Sequence, residues 1–272
     1  MDSKRVFITG GASGLGLALA KCFADAGYWV CIGDVNDSRG AEALAELQAK
    51  TTAHYCNCDV TQESALQAAA DWLLSEWGGV DVVVNNAGVA SAGGITEFPL
   101  SDWEWIVDIN VLGVVRGCKV FAKLMQAQGS GHLVNVASLA GLISPPKMAS
   151  YCATKAAVVA ISEVLTLELD PDNIAVSVVC PSFFRTNLAE SVRASDADSQ
   201  AATQRLVNKA KLSADEIASR VFASIEKREF YILPHPEGRK IWRLKRWLPF
   251  PRFRAMMLKQ TNRMMSKRDA RK

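Results

Sequence analysis

Tyr151 and Lys155 lie four residues apart in a stretch, Ser150 to Leu169, whose composition predicts a helix, so their side chains share one face. A phenol with an ordinary pKa of ~10 is a poor base near neutrality. A neighbouring ammonium favours the phenolate and would bring the group toward use in general acid–base chemistry. The same spacing also describes a solvated Tyr/Lys pair. Ser138 stands 13 residues upstream, at the end of an apolar run, Leu133 to Ala137, that reads as a strand. A hydroxyl at the C-terminal end of a parallel strand faces the ligand crevice of an open α/β sheet, although a lone serine there is also an ordinary turn residue.

A second cluster lies near the start of the chain. Thr9-Gly10-Gly11-Ala12-Ser13-Gly14-Leu15-Gly16 follows the strand-like run Val6-Phe7-Ile8 and precedes a helical pattern, Leu15 to Ala26. Glycines between a strand and a helix let the backbone approach a pyrophosphate, whose charge the helix N-terminus stabilises. Three residues separate Gly10 from Gly14, not the single residue of the common dinucleotide fingerprint, and a plain tight turn is the competing reading. Asp34 ends the next strand, 18 residues past Gly16. A carboxylate there accepts hydrogen bonds from ribose hydroxyls and repels a 2′-phosphate. Val35, Asn36 and Ser13 add no positive charge, and Arg39 is five positions on, so NAD is favoured over NADP. Asp34 could also simply cap the following turn.

The elements that must position these groups are legible as short apolar runs alternating with helical patterns. Strands are expected at 6–8, 28–33, 53–58, 80–84, 133–137, 174–179 and 230–233. Helices are expected at 15–26, 39–50, 63–77, 102–128, 150–169 and 213–226. Strands apolar on both faces belong to a parallel sheet covered on both sides. Repeated β-α-β order with right-handed crossovers gives a single doubly wound, Rossmann-type α/β domain with seven parallel strands, over residues 1–237. Residues 188–212 are polar and rich in Ala and Ser, break the alternation, and read as a mobile segment or lid.

Taken together, these motifs resemble the short-chain dehydrogenase/reductase family in its short single-domain branch. The matching residues are Thr9-Gly10-xxx-Gly14-x-Gly16, Asp59-Val60, Asn85-Asn86-Ala87-Gly88, Asn110, Ser138, Tyr151-xxx-Lys155, and Pro181 with Thr186, over about residues 4–235. The resemblance implies that Gly10, Ser13, Gly14, Leu15 and Gly16 line the pyrophosphate and that Asp34 holds the adenosine ribose. It places Asp59 and Val60 beside adenine, and Asn86, Ala87 and Gly88 along the adenosine side. Pro181, Phe184 and Thr186 would meet the nicotinamide, whose ribose Lys155 would hold. Asn110 would hold a water that joins Lys155 to solvent. Ser138 would hydrogen-bond the substrate and Tyr151 would be the general acid/base, its pKa lowered by Lys155 and by the positive nicotinamide ring. Long helices 102–128 and 150–169 resemble those that pair in the family's homodimers and homotetramers. One departure is Ser182, where the family usually has glycine; a Cβ would strain a left-handed backbone there, so a modest local change near the nicotinamide is expected.

The substrate side is expected to be lined by Leu139, Ile143, Pro145, Met148 and Phe183, none of them charged, which favours a hydrophobic secondary alcohol or ketone over a sugar or an anion. A non-catalytic dinucleotide sensor or scaffold of the same fold, membrane-docked through its tail, is the alternative; the presence of Asn110, Ser138, Tyr151 and Lys155 argues against it. Seven cysteines without a CxxC pair, mostly in apolar runs, read as reduced core residues of a cytoplasmic protein, and three scattered histidines give no metal-ligand spacing. No stretch of ~18 apolar residues is expected to span a membrane.

The tail is distinct. Residues 238–272 hold 13 Lys/Arg against Asp269 alone, a net +12, while residues 1–237 hold 18 against 27 acids, a net −9. Ile241, Leu244 and Leu248 recur at helical spacing among cations, and Met256, Met257, Met264 and Met265 continue the theme past Pro249 and Pro251. A basic amphipathic extension fits peripheral docking on an anionic membrane; packing on the acidic domain or on a partner subunit fits equally well. Nucleic-acid binding is disfavoured by the acidic body and the Met/Trp content.

Overall fold

The computed structural model describes residues 3–186 and 192–269. The domain alternates strands and helices: β1 (Arg5–Thr9), α1 (Gly14–Asp25), β2 (Trp29–Asp34), α2 (Asp37–Gln48), β3 (Ala53–Asn57), α3 (Glu63–Trp77) and β4 (Val82–Asn85) form its first half. After a short strand β5 (Ser91–Ala92), the second half holds α4 (Leu100–Val107), α5 (Gly113–Gln128), β6 (Gly131–Val136), α6 (Leu139–Ile143), α7 (Ala149–Glu168) and β7 (Ile174–Val179). Then come β8 (Arg193–Ala194), α8 (Ala197–Asn208), α9 (Ala214–Glu226), β9 (Tyr231–Ile232), α10 (Pro236–Trp247) and α11 (Phe250–Asp269).

Seven strands form one parallel sheet in the order β3-β2-β1-β4-β6-β7-β9. Alternate residues of each strand feed opposite layers. Val6 and Ile8 of β1 pack with α1, α2 and α9, whereas Phe7 between them packs with α3, α5 and α7. Both faces are therefore apolar, and this is why the strands read as unbroken hydrophobic runs. The chain moves outward from β1 through β2 to β3, then returns to the middle and runs through β4 the other way. The ends of β1 and β4 consequently diverge into a crevice, the usual ligand position in such sheets.

The centre of the sheet also carries a buried polar network. Asn85 of β4 donates to Asn135 Oδ1 of β6 (2.9 Å), and Asn135 donates to Ser162 Oγ of α7 (3.0 Å). Cys118 of α5 donates to Asn135 Oδ1 (3.4 Å). Such a network costs stability if one member is lost and fixes the register of its elements when complete. It joins β4 and β6, at whose C-terminal ends the candidate site lies, to the long helices.

Three features depart from the expectations drawn from sequence. The stretch 102–128 is not one regular helix: a π-helical turn, Asp108–Leu112, separates α4 from α5. The polar segment after residue 188 is not structureless where described. Its residues 188–191 lie outside the described region, but Arg193–Ala194 pairs in parallel with Ser91–Ala92, and α8 follows, capped by Asp196 through Ser199 N–H (2.7 Å). Finally, α7 has the length and hydropathy of a membrane-spanning helix, although it is the core helix whose buried side packs on β6 and β7.

A prediction follows from the network. A Cβ on Gly117 would fall within bonding distance of the Asn85 amide. Alanine gains about 1 kcal/mol of helix propensity over glycine, but overpacking a filled core costs about 1–3 kcal/mol, and breaking the Asn85 bond adds to this. Gly117→Ala should therefore lower the melting temperature, as read by circular dichroism; an increase would mean that the network yields freely.

Candidate active site

The sequence places glycines where the backbone must pass closest to a ligand. Gly10 has φ +62° and Gly14 φ +54°, a left-handed geometry that side chains disfavour. Gly16 lies one helical turn behind the loop, where a Cβ would overlap the carbonyl of Gly10. Ser13 takes an extended N-cap conformation but makes no side-chain cap bond to α1, so the helix N-terminus faces the crevice without its own anion. Thr9 and Asn86 hold the crevice edges together. Thr9 Oγ1 accepts from the backbone N–H of Asn86 (3.0 Å) and Ala87 (3.1 Å), and Asn86 Nδ2 donates to the carbonyls of Thr9 (2.8 Å) and Gly10 (3.1 Å).

At the far end, Asp34 terminates β2. Its carboxylate accepts from Ala12 N–H and Asn36 N–H, each at 3.1 Å, through different oxygens. The turn role and a ligand role are thus compatible, because each oxygen keeps a second acceptor direction. Arg39 lines the same end of the cavity despite its distance in sequence. Asp59 accepts from Thr61 N–H (2.9 Å) and hydroxyl (2.8 Å) through its carboxylate, and it lines the cavity wall together with Val60.

The proton-transfer candidates meet at the other end. The chain beyond β6 stays paired with the chain beyond β7, through Ala137 N–H to Val179 O (2.8 Å) and Leu139 N–H to Pro181 O (2.9 Å). Ser138 lies between these bonds, caps α6 through Ala140 N–H (3.1 Å) and donates to Pro181 O (3.4 Å), with its hydroxyl near enough to the Tyr151 phenol to favour the phenolate. At the start of α7, Ser150 Oγ bonds Ser91 Oγ of β5 (2.6 Å), which fixes the turn that carries Tyr151. Gly141 lets α6 lie directly on α7: a Cβ there would sit 2.6 Å from the Lys155 carbonyl carbon.

Lys155 Nζ donates to Val136 O at 2.9 Å and lies 5.9 Å from the Tyr151 ring centre. Both side chains are buried. Burial pushes the Lys155 amine down to about 8 and the Tyr151 phenol up to about 12, the latter opposed in part by the Ser138 hydrogen bond. From sequence, Lys155 and the oxidised nicotinamide are expected to lower the phenol together; in the chain alone burial raises it. Desolvation is the largest influence on both groups, raising the phenol and lowering the amine.

Asn110 occupies the π-helical turn and is fully buried. The wider turn aims its amide at Val89, accepting from Val89 N–H (2.8 Å) and donating to Val89 O (2.9 Å) and Thr154 Oγ1 (3.4 Å). π-Helical turns commonly mark functional positions. A Cβ on Gly88 would lie 3.1 Å from Asn110 Oδ1 and 3.3 Å from Lys155 Nζ, so glycine keeps the space between them open.

A continuous cavity of about 1090 Å³ runs between these ends. Gly10, Ser13, Gly14, Leu15, Asp34, Asp59, Val60, Asn86, Ala87 and Gly88 line its nucleotide half. Ser138, Tyr151, Lys155, Pro181, Phe184 and Thr186 line the centre. Leu139, Ile143, Pro145, Met148 and Phe183 line the remainder. Gly16 and Asn110 are the two candidates set behind the wall. Ser182 also lines the cavity but does not adopt positive φ; its N–H donates to His235 Nδ1 (3.1 Å), so the strain expected of a Cβ there does not arise.

Sequence reasoning missed part of the wall. Trp105 and Ile109, from α4 and the π turn, and Leu206 of α8 close one side. Ile241 of α10, with Met257 and Thr261 of α11, closes another. The helical spacing of apolar residues in 241–261 carried this signal. The inward stripe of α10 is Gly238, Ile241, Trp242 and the stem of Lys245; Leu244 is exposed, which corrects the expected Ile241–Leu244–Leu248 face. Lys245 Nζ donates to Leu142 O (2.6 Å), and Phe253 of α11 is buried. The side chains of Met264 and Met265 lie outside the described residues.

The profile of the short chain dehydrogenase family matches residues 4–197. D-threitol dehydrogenase of Mycolicibacterium smegmatis is 36% identical over 80% of this chain and 84% of its own length. The 3-alpha-(or 20-beta)-hydroxysteroid dehydrogenase of Mycobacterium tuberculosis is 34% identical over 70% of this chain and 72% of its own. A short chain dehydrogenase/reductase from Burkholderia phymatum, solved in complex with NAD, superposes with a TM-score of 0.84 at 36% identity, covering 89% of this chain and 92% of that one. A short-chain dehydrogenase from Sphingobium yanoikuyae, solved with NADPH, gives 0.73 at 25% identity over 96% and 95%. This chain belongs to the short-chain dehydrogenase/reductase family and is an oxidoreductase of alcohols and carbonyls that uses NAD or NADP.

Proposed function

We propose that the protein interconverts an apolar secondary alcohol and its ketone with NAD, using Tyr151 as general acid and base. The observation that carries this reading is the convergence of Ser138, Tyr151 and Lys155 between a glycine-built nucleotide cradle and an apolar chamber. The dinucleotide, when bound, supplies hydride transfer at its nicotinamide ring. Gly10, Gly14 and the α1 N-terminus hold its pyrophosphate, and Asp34 accepts from its adenosine ribose. Pro181, Phe184 and Thr186 meet the ring.

Ser138 and Tyr151 orient the substrate oxygen by hydrogen bonds. In reduction Tyr151 Oη gives its proton to the carbonyl oxygen; in oxidation it takes the hydroxyl proton. The raised phenol suits the acid role in the chain alone, and the base role requires added positive charge nearby, which an oxidised nicotinamide brings. Lys155 Nζ restores the proton through the space beside Gly88 and Asn110. The charged residues on the wall are Asp34, Arg39, Asp59 and Lys155, all at the nucleotide end or the proton-transfer centre. The substrate end is apolar, which supports a hydrophobic partner. Exposed Leu112 and Val115 near the start of α5, with Val164 and Leu167 on α7, support assembly into a homo-oligomer through these helices.

Four experiments follow. NAD reduction with hydrophobic secondary alcohols should be measurable and should fall at least ~10³-fold in Tyr151→Phe, with NAD affinity retained; comparable turnover by the variant would overturn the role. Because Tyr151 must be unprotonated to accept a proton, oxidation should rise with pH from neutrality upward, and reduction should fall. A flat profile in both directions would place the acid–base group elsewhere. Asp34→Ala should shift the kcat/KM ratio toward NADP, since it removes the repelling carboxylate and leaves Arg39 at the same end; an unchanged ratio would remove Asp34 from cofactor selection. Met257→Trp should fill the far end of the chamber and lower kcat/KM for long-chain alcohols about 10-fold or more, with short alcohols nearly unaffected. Equal losses on both would show that α11 does not bound the substrate.

A further inference from the structure

We propose that the outward face of α10, with the elbow that joins it to α11, is a docking surface for an anionic lipid bilayer. The inward side of α10 is already committed. Gly238 lies over Leu139, Trp242 packs tilted against Tyr231 at 4.9 Å between ring centres, and Lys245 and Arg239 bond the carbonyls of Leu142 and Leu233. These contacts fix the rotation of the helix about its axis. They leave Lys240, Arg243, Leu244 and Trp247 on the opposite face, at the three- and four-residue spacing that puts side chains on one stripe.

That stripe combines large apolar groups with cations. Trp247 is 86% exposed and Phe250, across the Leu248–Pro249 elbow, is 69% exposed. Exposed apolar side chains rimmed by polar residues mark interaction surfaces when they form a patch. Lys240, Arg243, Arg246, Arg252, Arg254 and Lys259 are exposed around them, and the sole acid in 238–272 is Asp269, near the far end of α11. Each cation near an anionic leaflet is worth about fivefold in partitioning, the amphipathic Trp ring settles at the headgroup level, and Phe adds apolar burial. A shallow depression bounded by Trp242, Arg243, Arg246 and Trp247 sets two guanidinium groups around a space of about 450 Å³, with Arg246 5.3 Å from the Trp242 ring centre. Its chemistry fits the phosphate of a lipid headgroup.

Charge decides against pairing of this face with itself. A second copy presenting the same face would oppose cation to cation. The acidic remainder of another copy would match the charge, so the oligomeric mass of the variants separates that occupant from a bilayer. The inner faces of the same two helices supply Ile241, Met257 and Thr261 to the chamber. Docking would therefore hold the chamber against the bilayer, where an apolar substrate partitions. This consequence rests on the function proposed above; docking itself does not.

The test uses the full chain and reads binding without turnover. Co-sedimentation with phosphatidylcholine–phosphatidylserine vesicles at ~0.1 M salt should be strong, and it should be largely lost at ~1 M salt, where screening is short-ranged. It should also be weak with pure phosphatidylcholine. The Trp247→Ser/Phe250→Ser pair and the Arg243→Glu/Arg246→Glu pair should each lower partitioning at least ~10-fold. Their circular dichroism and turnover of soluble substrate should match the parent. Absence of pelleting, equal pelleting by the variants, or equal pelleting with pure phosphatidylcholine would overturn the proposal. So would a loss of oligomeric mass in the variants without vesicle binding by the parent, which would assign the face to a second copy. Binding of an oligonucleotide in preference to the anionic vesicles would likewise overturn it.

Discussion

An amine held out of water against the carbonyl of Val136 sets the terms for the rest of the site. Lys155 is buried and its pKa is driven down to about 8, so it stays mainly protonated at neutral pH but gives up its proton more readily than a free lysine. The phenol, buried as well, is driven up to about 12. Two groups whose charged forms are both penalised by the same environment remain poised until a third charge enters. On the proposed reading that third charge is the oxidised nicotinamide, so the base becomes effective when the cofactor is in place. Functional groups held at such a cost are drawn from a scaffold rigid enough to oppose relaxation.

The scaffold meets that demand by layering constraints. Asn85, Asn135, Ser162 and Cys118 lock β4, β6, α5 and α7 in one register. Thr9 and Asn86 then tie the diverging ends of β1 and β4. Gly141 allows α6 to rest on the backbone of α7 at Lys155, and the π-helical turn directs Asn110 onto Val89. Each is a small-residue or polar-residue choice in an otherwise apolar core. Each acts on a piece of backbone that carries a candidate functional group, so the site is determined by the sheet's interior as much as by its rim.

The fold was legible because its physics is periodic. Apolar runs buried on both faces announce parallel strands, and Thr9 to Gly16 announces the first turn. The candidate catalytic residues were legible because their spacing and strand-end positions survive projection onto one dimension. Other features did not survive. Neither Asn110 nor its neighbours carry a composition that distinguishes a π turn from a regular helix, because the change is one extra residue in the hydrogen-bond loop. The pKa of Tyr151 in the chain alone depends on burial from all directions, which local sequence does not show. Arg39 was discounted for its distance along the chain, yet α2 brings it back to the cavity. Ser182 looked strained only against the family's usual glycine; the chain supplies His235 to receive its N–H and keeps the backbone out of the left-handed region.

The C-terminal helices show why charge and hydrophobicity must be read with direction. The sequence offered membrane docking and self-packing as competitors, since a helix with cations and large apolar side chains suits both. In three dimensions the two are divided between faces. Ile241, Trp242 and Phe253 turn inward, and Met257 joins the cavity wall. Trp247, Phe250 and Leu244 turn outward among arginines. A helix that only covered the acidic domain would gain from cations facing inward, where the domain's charge lies. Here Lys245 and Arg239 reach backbone carbonyls, not acidic side chains, and Lys240, Arg243, Arg252, Arg254 and Lys259 are exposed. Attraction to the domain's net charge therefore does not account for the basic composition, whereas an anionic partner outside the domain does.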